Sequence, residues 1–306
     1  MTSAPAFARP ARSPVAGMLW MLASGLCFVG VTGIVRHLGT DLPAAQSAFL
    51  RFGFGVLFLL PALRGLLRQG LPAGSLPLFL GRGVLHTGAV IFWFYAMARI
   101  PVAEVTAIGY LNPVLVALGA VLIFGERLAL RRVLAIFVAL AGALIVLRPG
   151  LREVTDGHLS QLCASTLFAG SYLFAKRLCQ IAGAGMVVAM LSLTVTLGLL
   201  PFAISVWEPV TGPQLAWLAL VAAFATGGHY CMTRAFASAP LAVTQPVTFL
   251  QLVWATLLGT LVFGEPVDPF VILGGGVIIG AVSYIAWRES LANRQVLTPA
   301  PEATNG

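Results

Sequence analysis

Six polar side chains stand inside long apolar stretches of this sequence, and their types suit binding and proton movement better than bond-making. Asn112 and Gln251 are carboxamides 139 residues apart, and each offers donors and acceptors without the cost of a buried charge. They suit a zwitterionic small molecule, or a helix-to-helix hydrogen bond worth about 0.6 kcal/mol on average. His86 and His229 titrate near neutral pH, so either can couple proton movement to another process or act as a hydrogen-bonding packing residue. Arg51 can hold a carboxylate or clamp the structure. Glu104, beside Pro101, reads as a residue of the membrane interface.

Aromatic residues supply a second kind of surface. Phe92, Trp93, Phe94 and Tyr95 are consecutive, so no more than one or two can line a path while the others meet lipid. Phe168 and Tyr172 share a helical face at i, i+4. Tyr110, Tyr230 and Trp254 complete a set suited either to an amphipathic lining or to packing and an interfacial belt. Pro113 frees the Gly109 carbonyl and Pro246 that of Ala242, giving ligand contacts or plain kinks.

Catalytic sets are missing. Paired carboxylates, a nucleophile with its base and the nucleotide-binding GxxxxGK[ST] are all absent. A membrane-embedded enzyme acting on lipid-linked substrates is the alternative this disfavours; the expectation is a non-enzyme without cofactor or metal. The four cysteines stand singly in or at the ends of apolar runs and are expected to be small buried hydrophobes.

The elements that position these residues follow from composition. A chain that is 59% hydrophobic and 9% charged is expected to be an all-α integral membrane protein. Crossing a hydrocarbon core takes about 20 helical residues, and such runs fall at 15–38, 43–63, 76–98, 102–123, 129–147, 158–178, 185–206, 213–236, 240–262 and 267–287. The net charge of +8 does not imply a nucleic-acid partner, because placement explains it. With the N-terminus cytoplasmic, 13 basic residues fall in inner segments and 4 in outer loops, which puts both termini inside a plasma (inner) membrane. The first run is too long for a signal-peptide core and has no cleavage site. Segments 1–14 and 288–306 read as cytoplasmic tails, the first disordered, and 148–157 as a connecting loop.

The chain also contains a second copy of itself. From Ala96 to Glu126 against Ala235 to Glu265, 11 of 31 positions are identical at a constant offset of 139, ending in Phe124-Gly125-Glu126 and Phe263-Gly264-Glu265. The repeats, 15–147 and 158–287, hold five crossings each. An odd number inverts the second copy, so the expectation is ten transmembrane helices as two inverted five-helix repeats, the arrangement that supports alternating access. The two Phe-Gly-Glu copies read as turns, and Gly274-Gly275-Gly276 with Gly280 as a close-packing surface within a monomer.

The segment Ala-x-x-x-x-Pro-x-Ala followed by Phe-Gly-Glu in both halves resembles the drug/metabolite transporter superfamily, EamA type. Leu50-Arg51-Phe52 and Asn112-Pro113 are also similar to that family's pattern, over residues 15–287. The resemblance implies carrier-type movement of small metabolites, with the exporters of aromatic and neutral amino acids as the nearest branch. Gln251-Leu252 departs from it by lacking the second copy's proline. Substrate-binding residues are then expected among Asn112, Gln251, Trp93, Tyr95, Tyr110, Tyr172 and His229, with gating or coupling by His86, Arg51, Pro113 and Pro246. A channel is the remaining rival, and saturable counterflow separates the two.

Overall fold

A computed structural model describes residues 13–124, 130–151, 153–178, 180–239 and 241–297. Their regular structure is helical: α1 (Pro14–Leu38), α2 (Ala44–Gln69), α3 (Leu76–Met97), α4 (Val102–Gly109), α5 (Asn112–Phe124), α6 (Leu130–Leu147), α7 (Asp156–Leu178), α8 (Ala184–Ser205), α9 (Gly212–Ser238), α10 (Leu241–Phe263) and α11 (Pro269–Leu297). Local chemistry sets the ends. The Ser13 hydroxyl accepts from the Ala16 N–H at 3.3 Å ahead of Pro14, and Thr211 with Gln214 forms a reciprocal capping box. Gly264, at φ +64°, stops α10 in the left-handed region that favours glycine. This is the turn expected of the second Phe-Gly-Glu; Gly125 and Glu126 of the first copy lie outside the described residues.

Where the sequence predicts one kinked span over 102–123, the chain makes two helices. Tyr110 and Leu111 donate to the Ala107 and Ile108 carbonyls at 3.2 and 3.0 Å, and a new helix starts at Asn112. Pro113 has no N–H to give Gly109, and its ring would clash with that carbonyl. By breaking one turn earlier, the chain leaves Pro113 as the second residue of α5, where a missing N–H costs nothing.

Pro14–Leu38, Leu76–Met97, Gly185–Ser205, Gly212–Met232 and Pro269–Arg288 are each long and apolar enough to cross a membrane. The outer surface agrees, since Leu19, Leu57, Val84, Phe137, Phe202 and Leu261 are all exposed. An apolar belt of that extent needs lipid against it. Cys163 is exposed as well, contrary to the expectation of burial, and Cys27 and Cys231 are half-buried.

Exchanging the halves carries the helix pairings into one another. α1 packs on α9 as α7 packs on α3, and α1 on α10 as α7 on α4 and α5. The α2–α9 pairing answers α8–α3, while α2–α8 and α6–α11 map onto themselves. The α6–α11 backbones touch: a Cβ on Gly274 would stand 2.5 Å from the Gly142 carbonyl oxygen.

One end of the bundle is tied by polar contacts between turns. Arg36 binds Glu265 at 3.0 Å and the Ala98 carbonyl at 3.0 Å, while the other Glu265 oxygen accepts from the Val102 N–H at 3.0 Å. Arg148 pairs with Asp268, and the Gln46 amide exchanges two hydrogen bonds of 2.8 Å with the Glu208 backbone. The turns after α1, α3, α6, α8 and α10 therefore meet at that end, as helices of alternating direction require.

Candidate substrate site

The expected site residues fall into two groups. In the first, α3 and α7 pack side by side and bring His86 Nδ1 to 3.1 Å from the Ser171 hydroxyl. The Phe168 ring meets the His86 ring edge-on at 4.9 Å and Phe52 meets it at 6.1 Å. Two helical turns along α3, Trp93 meets Phe168 at 5.8 Å, and Tyr172 lies parallel to Phe168 at 6.2 Å and 16°. From α2, the Arg51 guanidinium sits 3.9 Å over the Phe52 ring. The same Phe52 ring meets His86, so the guanidinium and the imidazole share one aromatic neighbour. His229, on α9, packs edge-on against Phe28 of α1 at 5.1 Å.

Arg51, His86, Trp93, Phe168 and His229 are half-buried and Tyr172 is exposed. Together they offer ring faces for a flat solute, with a guanidinium and two imidazoles for its polar edge. Arg82 is different: it is buried on α3 and donates to the Val187 carbonyl of α8 at 3.1 Å.

The second group surrounds the α4–α5 break, which packs on α7. Asn112 Oδ1, Gln161 Oε1 and Ser165 Oγ are buried there without hydrogen-bond partners. Gln161 Nε2 stands 3.7 Å from where a Cβ on Gly109 would be. In the other half, Gln251 faces Gly25 of α1, whose missing Cβ would lie 3.9 Å from that of Gln251. Unsatisfied buried oxygens are costly, and a polar solute or water reaching the break would relieve that cost.

Other expected residues stand apart. Tyr95 lies near the end of α3 under the Arg99 guanidinium, 3.5 Å from the ring centroid. Tyr110 is buried against Phe249 of α10, with ring centroids 5.4 Å apart. Pro113 is exposed at the start of α5, and the surroundings of Pro246 lie outside the described residues. Trp254 keeps a buried indole N–H without a partner.

Ser171, Gln161 and Ser165 escaped the sequence reading. A signal for the last two existed: His158, Gln161, Ser165, Phe168 and Tyr172 recur at three- and four-residue spacing, one stripe of α7. Glu104, expected at the membrane interface, stands in the first turn of α4 at the tied end of the bundle, where it is buried in protein with its carboxylate 2.6 Å from His158 Nε2.

An apolar-surfaced helical bundle with two equivalent halves and a polar, aromatic-lined interior defines a membrane carrier. The chain belongs to the EamA-like transporter family, whose pattern matches residues 15–148 and 156–287, the two halves described above. It is therefore a multi-pass membrane protein of the drug/metabolite transporter superfamily, and a transporter rather than an enzyme. It is 30% identical over 293 residues to a riboflavin transporter of Rhizobium johnstonii, covering 94% of this chain and 95% of that one. A pseudopaline exporter of Pseudomonas aeruginosa is 25% identical, with 87% and 94% covered. An S-adenosylmethionine uptake transporter of Rickettsia prowazekii is also 25% identical, with 89% and 93% covered. A crystal structure 21% identical to the chain superposes with a TM-score of 0.57, covering 90% of this chain and 99% of the other, a likeness of fold alone.

Proposed function

We propose that the protein is a secondary carrier for a small, flat, amphipathic metabolite, with riboflavin as the first candidate, working by alternating access across the plasma membrane. The observation that carries this reading is the His86, Trp93, Phe168 and Tyr172 aromatic cluster, with Arg51 stacked on Phe52 at its edge. A fused heteroaromatic ring stacks on such faces, and its carbonyl and ring nitrogens take hydrogen bonds from the guanidinium and imidazole groups. The riboflavin transporters among the relatives support the choice. An aromatic or neutral amino acid, the substrate that the family resemblance implies, fills less of the same surface and stays in the test panel.

The reading includes ten crossings in two inverted halves with both termini cytoplasmic, which follows from five apolar runs per repeat and the basic bias of the inner segments. The carrier acts as a monomer, with Gly274 spent on the α6–α11 approach and Gly275 on Leu252 of α10, while Gly276 and Gly280, expected to pack closely, meet nothing within 4 Å. With no nucleotide-binding motif, the driving free energy comes from a gradient.

Purified protein in liposomes tests this through counterflow of labelled riboflavin, tryptophan, phenylalanine and S-adenosylmethionine. Saturable riboflavin counterflow is expected. Counterflow of an amino acid alone would replace the substrate, and non-saturable flux would sink the carrier reading in favour of a channel.

A further inference from the structure

We propose, resting on the carrier reading above, that the α4–α5 break is a subsite for a hydroxylated chain, so that the solute is a flat ring bearing such a chain and not a ring alone. The ring faces and the polar groups share one stripe of α7. Gln161 and Ser165 precede Phe168 by seven and three residues, which puts them about 10 and 5 Å from it along the helix axis. A single solute can therefore lie on the Phe168 ring and reach both.

Asn112 Oδ1, Gln161 Oε1 and Ser165 Oγ take no hydrogen bond among the described residues, and the Gln161 and Ser165 side chains are almost wholly buried. Helix packing does not require polar groups there. In the other half α1 packs on α10 as α7 packs on α4 and α5, and Leu22 and Leu26 of α1 answer Gln161 and Ser165 at the offset of 139. The equivalent contact thus closes with leucine, which leaves no buried oxygen to satisfy. Asparagine at a helix start commonly accepts one of the free N–H groups, yet the Asn112 oxygen accepts none.

The chemistry of the three groups selects the ligand. Two carboxamides and a hydroxyl are neutral, and each both donates and accepts. A hydroxyl group matches them whichever way the amides are turned, whereas an ammonium or a carboxylate would bury a charge that none of the three neutralises. Glu104, the carboxylate of α4, faces His158 instead. A Cβ on Gly109 would meet no neighbouring helix within 4 Å except at Gln161 Nε2, 3.7 Å away, so the backbone at the break is open to a slender chain. The orientation follows from burial along α7. Its first turn lies at the tied end, where a Cβ on Gly157 would be 2.6 Å from Ile100, and exposure rises from 1% at Ser165 to 44% at Tyr172. The hydroxylated chain points toward the tied end, with the ring on the open side.

Quenching of flavin fluorescence by the protein in lipid nanodiscs tests the subsite with riboflavin and lumiflavin, the same fused ring with a methyl group in place of the hydroxylated chain. Wild type should bind riboflavin at least about tenfold more tightly than lumiflavin. Gln161→Leu and Ser165→Ala should each lower that ratio about 2- to 10-fold, and either one suffices should the other not fold. Phe168→Ala, which removes a ring contact, should weaken both flavins and keep the ratio. Equal affinity of wild type for the two flavins, meaning that the break holds water only, would overturn the subsite and leave the carrier reading standing. A ratio unchanged in both variants would do the same. Binding of neither flavin would overturn the riboflavin reading and the subsite together.

Discussion

The Tyr110 hydroxyl donates to the backbone carbonyl of Phe249, its own counterpart 139 residues later, at 3.2 Å. Their rings meet edge-on at 88°. This contact joins the two halves where the α4–α5 break packs on α10.

Removing only the hydroxyl should be mild. Tyr110→Phe is expected to cost about 0.6 kcal/mol, the usual worth of a hydrogen bond within a membrane bundle. Tyr110→Ala, which also loses the ring, should cost about 3–5 kcal/mol. Unfolding midpoints in mixed micelles give both; equal losses would place the stability in the hydrogen bond rather than in the ring.

The aromatic cluster predicts an affinity effect that is local. Stacking on one aromatic side chain contributes about 1–3 kcal/mol, so Phe168→Ala should weaken riboflavin binding by about 5- to 150-fold. Cys163→Ser, on an exposed position of the same helix, should leave it unchanged. Quenching of flavin fluorescence reads the difference.

Asn112 should trade function against stability. Its Oδ1 is buried and unpartnered, so Asn112→Leu removes an unsatisfied acceptor and should leave stability level or raise it by about 1 kcal/mol. Counterflow should fall at least tenfold if the carboxamide touches substrate. A variant that transports normally removes Asn112 from the site.

Glycine contacts separate packing from mere smallness. A Cβ on Gly274 meets the Gly142 carbonyl at 2.5 Å, whereas one on Gly276 meets nothing within 4 Å. Gly274→Ala should therefore destabilise by about 1–3 kcal/mol through backbone displacement. Gly276→Ala should stay within about 0.5 kcal/mol of wild type. Thermal unfolding in detergent distinguishes them, and similar losses would contradict the close α6–α11 approach.

Much of the fold is legible along the chain because lipid imposes a simple rule: each crossing must satisfy its backbone internally, so it appears as a continuous apolar run. The offset of 139 then gives the equivalence of halves, and with it the pairing of Asn112 with Gln251 and of Tyr110 with Phe249. Pro113 announces a defect in the fourth span but not its form. Whether a helix kinks or breaks depends on what neighbouring helices offer its freed groups, and here α7 and α10 lie against the break.

The candidate sites were legible as residue types and not as groups. Sequence alone determined that His86, Trp93, Phe168 and Tyr172 sit on helices with polar or aromatic stripes. Tertiary packing decided that α3 lies against α7, so that these four meet while Tyr95, on the same helix, does not. Glu104 and His158 show the same limit more sharply. They are 54 residues apart, and each alone is an unremarkable polar residue near the end of an apolar run. Only the packing of α4 on α7 buries both and brings the carboxylate to the imidazole. Hydropathy is additive along a chain and can be read from it; burial and pairing are properties of where two helices touch, and only the folded molecule fixes those.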